Sequence, residues 1–233
     1  MHITGIQKLT LLDYPGAVAC TIFTGGCNFR CPFCHNALLV EPERVKEEGE
    51  LPMEDVMSFL EKRRGVLDGV AITGGEPLLH CDMPDFLRKI KAMGYKIKLD
   101  TNGSNPELLK QILDEGLVDR VAMDIKNSPE LYGVTAGRGD IDLESIEKSK
   151  NMLLNGDGEY EFRTTVVKGI HTKESLVEAA KWIAGAREYY LQQFKDSGDL
   201  LKGEGLSAFD ETEMHELCEA VKNYVPAAEV RGV

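Results

Sequence analysis

The chain has 233 residues, of which 42% are hydrophobic; this length suits one large domain with a sizeable core, so we expect a single domain over residues 1–233. Its 27 basic and 39 acidic residues give a net charge of -12, which repels a phosphate backbone and excludes nucleic acid as an expected partner. The sequence has no apolar run of about eighteen residues and no secretory signal pattern, so we expect no membrane partner and a cytoplasmic location.

Short β-rich runs alternate with segments of helical period along the chain. The run AVACTIFT at 17–24 predicts a first buried strand and GVAIT at 69–73 a second, and a pair of glycines follows each. Further strands are predicted at 96–101, 118–126, 160–167 and 188–194, with a terminal extended piece at 228–231. Helices are predicted at 52–66, 84–93, 106–115, 143–154, 173–184 and 211–224.

Strands that alternate with helices form parallel βαβ units, whose right-handed crossovers wind into an open sheet or a barrel. The predicted fold class is therefore α/β, with six main strands, or seven if the terminal piece joins the sheet. Six units are fewer than a closed eight-fold barrel requires. The charged, glycine-bearing segment 195–209 is predicted to be a loop.

Three of the six cysteines, Cys27, Cys31 and Cys34, lie within eight positions just after the first predicted strand. Clustered cysteines in a cytosolic chain indicate metal binding or catalysis rather than a disulfide framework. The carboxyl ends of parallel strands carry the chemistry of α/β folds. Three thiolates can hold three irons of a four-iron cluster and leave the fourth iron open to a ligand, whereas electron-transfer clusters usually take four cysteines.

Three other interpretations of this segment remain. Cys27, Cys31, Cys34 and His35 could form a structural zinc site, although zinc sites usually draw their ligands from two separate knuckles. Cys31 to His35 also matches the C-x-x-C-H pattern of covalent haem attachment, which normally occurs in exported proteins. Three buried thiols that pack as small hydrophobes are the last alternative. Outside the segment, Cys20 is predicted to be a core thiol of the first strand.

The spacing CxxxCxxC, with the aromatic Phe33 before the last cysteine, resembles the signature of the radical S-adenosylmethionine (SAM) superfamily. The segment Thr73-Gly74-Gly75-Glu76-Pro77 at the end of the second predicted strand resembles the GGEP motif of the same family. Alone, it would be an ordinary strand-to-helix turn. In the family this backbone takes the SAM amino group, and glycine lets the ligand approach closely. The resemblance therefore assigns SAM binding to Gly74, Gly75 and Glu76.

The resemblance covers nearly the whole chain and lies nearest to the glycyl-radical-enzyme activases, in particular the anaerobic ribonucleoside-triphosphate reductase activating proteins. It implies a partial (βα)6 barrel of the TIM type in one radical SAM domain, a 4Fe-4S cluster with one open iron, and SAM. The segments that carry it are TLLDYPG (10–16), GCNFRCPFCHN (26–36), ITGGEPLL (72–79), KLDTNGSNP (98–106), VAMDIK (121–126) and EFRTTVV (161–167).

The same resemblance implies roles for charged residues on later strands. Asp100 and Asp124 line the amino and ribose side of SAM, while Lys126 and Arg163 face its carboxylate or the substrate. Asp100, Thr101 and Asp124 are candidate ligands of a monovalent cation of the kind found in related activases. From the residues alone, Asp124 and Lys126 are two apart on one strand and can simply pair. The implied set of SAM contacts also includes Phe33 and Asn102.

The function implied is reductive cleavage of SAM to a 5'-deoxyadenosyl radical that installs a glycyl radical on a partner enzyme, anaerobic ribonucleotide reductase. A flavodoxin or ferredoxin is the implied reductant. The segment 195–209 is a candidate gate for the partner's glycine loop. One alternative is a radical SAM enzyme acting on a small molecule, similar to 7-carboxy-7-deazaguanine synthase. Another, from a different class, is a non-catalytic iron-sulfur or zinc protein.

Overall fold

The computed structural model describes residues 1–40, 45, 49–196, 198 and 200–233. In this part of the chain the strands are β1 (Ile3–Thr10), β2 (Ala19–Thr24), β3 (Gly69–Gly74), β4 (Lys96–Thr101), β5 (Arg120–Asp124), β6 (Glu159–Val166), β7 (Tyr189–Gln193) and β8 (Ala228–Arg231). The α-helices are α1 (Met53–Arg63), α2 (Met83–Ala92), α3 (Pro106–Asp114), α4 (Tyr132–Thr135), α5 (Leu143–Asn155), α6 (Lys173–Trp182) and α7 (Glu211–Val221). Single 3-10 turns occur at Ala37–Leu39, Pro77–Leu79 and Pro129–Leu131.

The strands form a mostly parallel sheet in which hydrogen-bonded neighbours follow chain order. Strands β2, β3 and β4 pair parallel, as do β6, β7 and β8, whereas β1 pairs antiparallel with β2. The prediction of an α/β fold is therefore confirmed. Parallel pairing also brings the carboxyl ends of neighbouring strands to the same edge of the sheet, where the site residues follow.

The predicted number of strands is wrong, because the described residues form eight and β1 was not expected. Only the two ends of this strand, Ile3 and Thr10, are buried. Its middle is half-buried or exposed and includes Gly5, so it lacks the alternation that identifies a strand. Moreover, β1 runs antiparallel at the end of the sheet order, outside the strand–helix repeat.

The chain divides into two compact units. The first consists of Met1–Asn28 and Leu38–Ala122, and the second of Phe29–Ala37 and Met123–Val233. The first unit therefore holds Cys27, while the second holds Cys31 and Cys34. The expectation of one domain over residues 1–233 stays a prediction.

Capping side chains begin the helices that follow the later strands. In α6, Thr172 and Ser175 form a reciprocal capping box, and in α7 Asp210 and Glu213 do the same. Each box satisfies backbone N–H groups that the first helical turn leaves without partners. None of the helices in the described part of the chain is long and apolar enough to cross a membrane.

Candidate functional site

Cys27 follows β2 directly and lies against the end of β4 within the first unit. The Asn102 side-chain amide donates to the Cys27 sulfur at 4.0 Å and to the Asn28 side-chain oxygen at 2.9 Å. Asn28 in turn donates to the Ser104 hydroxyl at 2.8 Å. Asn102 is buried, so this donor is held in place. An amide that donates to a cysteine sulfur is the kind of outer contact that tunes metal–thiolate sites.

Cys31 and Cys34 form a tight turn in the second unit, where the Cys34 N–H donates to the Cys31 carbonyl at 3.0 Å. Burial raises the pKa of the Cys31 thiol to about 11, although the positive charge of Lys126 opposes this effect. Burial also raises the pKa of Cys34. Phe33, which precedes Cys34 in the chain, is buried and meets the His171 ring edge-on, with 6.2 Å between the ring centroids.

The donor set fits a 4Fe-4S cluster. All three cysteines are free thiols. Over the described residues, no three His, Cys, Asp or Glu side chains converge closely enough to hold a single metal ion. A cubane does not require such convergence, because each thiolate binds a different iron. Since thiolates are the ligands and burial favours the protonated thiols, loading the site must release protons.

The other three cysteines differ in their burial. Cys20 is fully buried on β2, and burial raises its pKa to about 12, which confirms the prediction of a core thiol. Cys218 is buried on α7 and its thiol donates to the Ala228 carbonyl at 3.4 Å. Cys81 is exposed.

Gly74 and Gly75 bring the end of β3 into backbone contact with the end of β2. A Cβ atom on Gly75 would lie 2.0 Å from the Gly26 carbonyl oxygen, and one on Gly74 would lie 2.4 Å from the backbone of Thr24. Gly74 also has a φ of 119°, which L-residues rarely adopt. The Glu76 N–H donates to the Gly26 carbonyl at 2.8 Å. The packing of the chain itself thus requires these glycines.

Replacing Gly75 with alanine should lower the free energy of unfolding by about 3 kcal/mol, because the added methyl group collides with a backbone atom that cannot rotate away. Urea unfolding of the purified chain measures this loss. Gly139→Ala is the matched control, since a Cβ at Gly139 meets nothing within 4 Å. Equal stability of the two variants would contradict the close approach at Gly75.

Glu76 ties the end of β3 to the end of β4. Its side chain is buried, and it accepts hydrogen bonds from the Thr101 hydroxyl at 2.7 Å, the Asn102 N–H at 2.6 Å and the Leu78 N–H at 3.0 Å. Both carboxylate oxygens are therefore engaged by the chain. The expected contact of Glu76 with SAM stays a prediction. It concerns the backbone of Glu76, because the carboxylate is already engaged.

Asp100, at the carboxyl end of β4, is neutralised from its own strand. The Lys98 ammonium lies 2.5 Å from the Asp100 carboxylate, and the two side chains are only 2% and 13% exposed. Sequence reasoning missed Lys98, although a lysine two positions before an acidic residue on a strand shares its face. An ammonium thus lies beside one expected ligand of the monovalent cation, and the cation site stays a prediction.

Asp124, Lys126 and Arg163 form one ionic cluster in the second unit. Lys126 Nζ lies 2.9 Å and Arg163 Nη2 3.0 Å from the Asp124 carboxylate. The pairing of Asp124 with Lys126 is therefore observed. Burial alone would raise the pKa of Asp124, but the two cations hold it well below its usual range. Asp124 likewise holds the pKa of Lys126 above its usual range against the effect of burial. Two cations against one carboxylate leave a net positive charge, which suits an anion.

Replacing Asp124 with asparagine should destabilise the protein by about 3 kcal/mol, because two largely buried cations lose their counter-charge. A carboxylate with a lowered pKa stabilises the folded state fully above its unfolded pKa and less as the pH falls. The difference in unfolding free energy between the unaltered chain and D124N should therefore shrink below about pH 4.

Urea unfolding at several pH values measures that difference. Asp114→Asn is the control, because Asp114 pairs with Lys110 at an exposed position and should contribute under about 0.5 kcal/mol. A difference that does not change with pH would show that the Asp124 charge does not act as described.

The described part of the loop 195–209 contains no helix or strand, as predicted, and it is anchored within the second unit. The Lys202 N–H donates to the Pro32 carbonyl in the cysteine segment at 3.0 Å. Ser207 exchanges two backbone hydrogen bonds with Lys168 after β6. The Gln193 side chain donates to the Phe209 carbonyl at 2.8 Å. The candidate gate of the glycine loop is thus joined to the cysteine segment.

Solved structures show the same fold at low sequence identity. SuiB of Streptococcus suis, in a crystal structure bound to S-adenosylmethionine, matches 90% of this chain and 49% of its own, with a TM-score of 0.68 and 16% identity. A domain of the pyruvate-formate lyase-activating enzyme from Bacteroides vulgatus matches over 70% of this chain and 99% of its own, with a TM-score of 0.57 and 18% identity.

Curated relatives differ in how much of them the chain covers. A Methanocaldococcus jannaschii protein, provisionally named a glycyl-radical enzyme activating enzyme, is 29% identical over 99% of this chain and 96% of its own length. The pyruvate formate-lyase-activating enzyme of Clostridium pasteurianum is 31% identical over 64% of this chain and 62% of its own length. The GTP 3',8-cyclase of Helicobacter pylori is 32% identical over 68% of this chain, which spans 50% of that protein.

The model of the radical SAM superfamily matches residues 21–212, which is more than half of the chain. With the structural likeness to SuiB, it confirms the prediction of a partial barrel of the radical SAM type. Membership implies a 4Fe-4S cluster and SAM. The chain therefore belongs to the radical SAM superfamily, as an enzyme like the glycyl-radical activases.

Proposed function

We propose that this chain is an activase that uses SAM to install a glycyl radical on a partner enzyme, anaerobic ribonucleotide reductase. The observation that carries the proposal is the near full-length match to a relative provisionally named as an activating enzyme of this kind. That match leaves little of either chain unaligned, whereas the cyclase relative has about half of its length outside the match.

Cys27, Cys31 and Cys34 hold the 4Fe-4S cluster in this proposal, and Asn102 donates to the sulfur of the first. When bound, the cluster and SAM supply a 5'-deoxyadenosyl radical by one-electron cleavage of SAM. The chain's own contribution is to bind and orient SAM and the substrate, and to exclude water from them. Phe33, within the turn of the last two cysteines, is buried.

In this proposal, residues on β3, β4, β5 and β6 or shortly after them share the recognition of SAM. The backbone of Gly74, Gly75 and Glu76 faces the amino group, with Asp100, Thr101 and Asn102 beside it. The net positive cluster of Asp124, Lys126 and Arg163 attracts the carboxylate and the substrate side. A monovalent cation near Asp100, Thr101 and Asp124 belongs to the same proposal, as does a flavodoxin or ferredoxin reductant.

A small-molecule substrate is the second candidate function. The specific support for it is the 32% identity with a protein named GTP 3',8-cyclase, whose name denotes a reaction on a nucleotide. A chemistry similar to that of 7-carboxy-7-deazaguanine synthase falls within this second candidate. A non-catalytic metal protein is a third possibility from the sequence, and membership in an enzyme superfamily speaks against it.

Electron paramagnetic resonance tests the first candidate. The chain is reconstituted anaerobically with iron and sulfide, reduced with dithionite, and mixed with SAM and anaerobic ribonucleotide reductase. We expect a glycyl doublet and release of 5'-deoxyadenosine. Release of 5'-deoxyadenosine without a doublet on any glycyl radical enzyme would favour the small-molecule function, and no release from a cluster-replete sample would exclude both.

A further inference from the structure

A cavity of about 350 Å³ opens in the second unit at the carboxyl ends of β6, β7 and β8. His35, the residue after Cys34, forms part of its wall, so the cavity adjoins the cysteine segment. The other lining residues are Thr165, Gln192, Gln193, Phe194, Lys195, Arg231 and Gly232. Nothing in the preceding assignment of cluster and SAM uses Thr165, Gln192 or Arg231.

Three of these residues form a row across three parallel strands. In the strand register Thr165 of β6 is opposite Gln192 of β7, and Gln192 is opposite Arg231 of β8. Opposed residues of a parallel sheet direct their side chains to the same face. The side chains of all three residues therefore start from the same face of the sheet, and all three residues line the cavity.

The first two of these groups are available to a ligand. Among the residues that the structure describes, none hydrogen bonds to the Thr165 hydroxyl or to the Gln192 carboxamide, although both side chains are partly buried. In contrast, the neighbouring Gln193 donates to the Phe209 carbonyl. Both groups therefore keep their hydrogen-bonding capacity for water or for a molecule that enters the cavity.

Arg231 is held in place by its surroundings. Its guanidinium pairs with the buried Glu161 carboxylate at 3.1 Å and stacks 3.2 Å from the centre of the Tyr190 ring. Among the described lining residues, Lys195 and Arg231 are cationic, and Glu161 already balances the charge of Arg231. The cavity therefore offers a ligand the hydrogen bonds of Thr165 and Gln192 rather than the charge of Arg231.

We propose that Thr165 and Gln192 position the substrate by hydrogen bonds to the main-chain peptide groups that flank its reacting glycine. This inference rests on the proposed function. Glycine has no side chain, so the polar groups that it offers for recognition are those of the main chain. A carboxamide presents one acceptor and one pair of donors, which matches a peptide group. The two residues are positioning residues and do not themselves react.

The test uses the full, cluster-replete chain with SAM, dithionite and anaerobic ribonucleotide reductase as the probe. Thr165→Val and Gln192→Met remove the hydrogen-bonding groups at nearly constant volume, and Thr165→Ser keeps the hydroxyl. Gln111→Met is the matched control, because Gln111 is an exposed residue of α3. The measured quantities are the KM for the partner protein and the number of 5'-deoxyadenosine molecules released per glycyl radical.

We expect the KM to rise about tenfold in T165V and Q192M, the loss expected for one or two hydrogen bonds. The deoxyadenosine released per glycyl radical should rise with it, because a loosely held glycine lets the radical escape. T165S and Q111M should both keep the KM and the deoxyadenosine release per glycyl radical of the unaltered chain.

Two results would overturn the inference while leaving the proposed function intact. In the first, the unaltered chain activates its partner, and T165V and Q192M have the same KM and the same deoxyadenosine release per glycyl radical as the unaltered chain. The second is a parallel fall in both products at constant ratio, which is what damage to the fold would cause. If the unaltered chain cleaves SAM but forms no glycyl radical on any such enzyme, the proposed function fails first, and the peptide occupant with it.

Discussion

Replacing Cys31 with alanine is expected to abolish cluster assembly and with it the cleavage of SAM, a loss of at least about a hundredfold. Outer contacts alone are worth 10- to 100-fold in metal sites, and a ligand is worth more. With two cysteines remaining, the cluster would have two irons without protein ligands. The same result is expected for C27A and C34A. The measurements are iron content, the broad brown absorption of the reconstituted protein, and the yield of 5'-deoxyadenosine.

Cys81→Ala provides the control, because Cys81 is a free and exposed thiol. It should reconstitute like the unaltered chain. Cys20→Ala is a second comparison, since this buried thiol of β2 should affect stability and not iron content. A C31A protein that holds four irons per chain would show that this cysteine is not a ligand.

Replacing Glu76 with alanine should lower the free energy of unfolding by about 4 kcal/mol. Its carboxylate accepts three hydrogen bonds in a buried position, and each bond to a charged group contributes about 1.5–3 kcal/mol. Removal leaves the N–H groups of Leu78 and Asn102 buried without an acceptor. Loss of this tie should also release Asn102, the donor to Cys27, so SAM cleavage should fall as well.

Glu76→Gln separates charge from shape. One oxygen remains to accept hydrogen bonds, but the amide nitrogen on the other side cannot accept from the Asn102 N–H. The free energy of unfolding should therefore fall by about half as much as in E76A. Glu61→Ala, which breaks an exposed pair with Arg64, should cost less than about 1 kcal/mol. Urea unfolding measures all three. An E76A protein as stable as E61A would contradict the tie between β3 and β4.

Much of the fold was predictable because the parallel strands carry strong local signals. Strand β4 was predicted at its observed bounds, since it is a β-rich run between two helices that carry proline in their first turn. Strand β1 was not, because its pairing with β2 depends on a contact outside the repeat and its own residues alternate weakly. Tertiary pairing decided its structure, and local propensity did not.

The candidate site was predictable where its residues form short sequence motifs. The cysteine spacing and the GGEP segment are motifs of this kind, and each identifies its residues without knowledge of the fold. Contacts between strands were not predictable, because Arg163 beside Asp124 and the row from Thr165 to Arg231 arise from strand register. Register is a property of the folded sheet, and a single sequence leaves it open.

The tight backbone contact at Gly74 and Gly75 has a consequence for how sequences of this kind are interpreted. The two glycines meet the chain's own carbonyl and amide groups, so the scaffold demands them whether or not a ligand is bound. A descendant that lost its iron and took up another task would still need them in order to fold. The double glycine therefore indicates descent from the same fold, whereas only the three cysteines indicate that the radical chemistry has been kept.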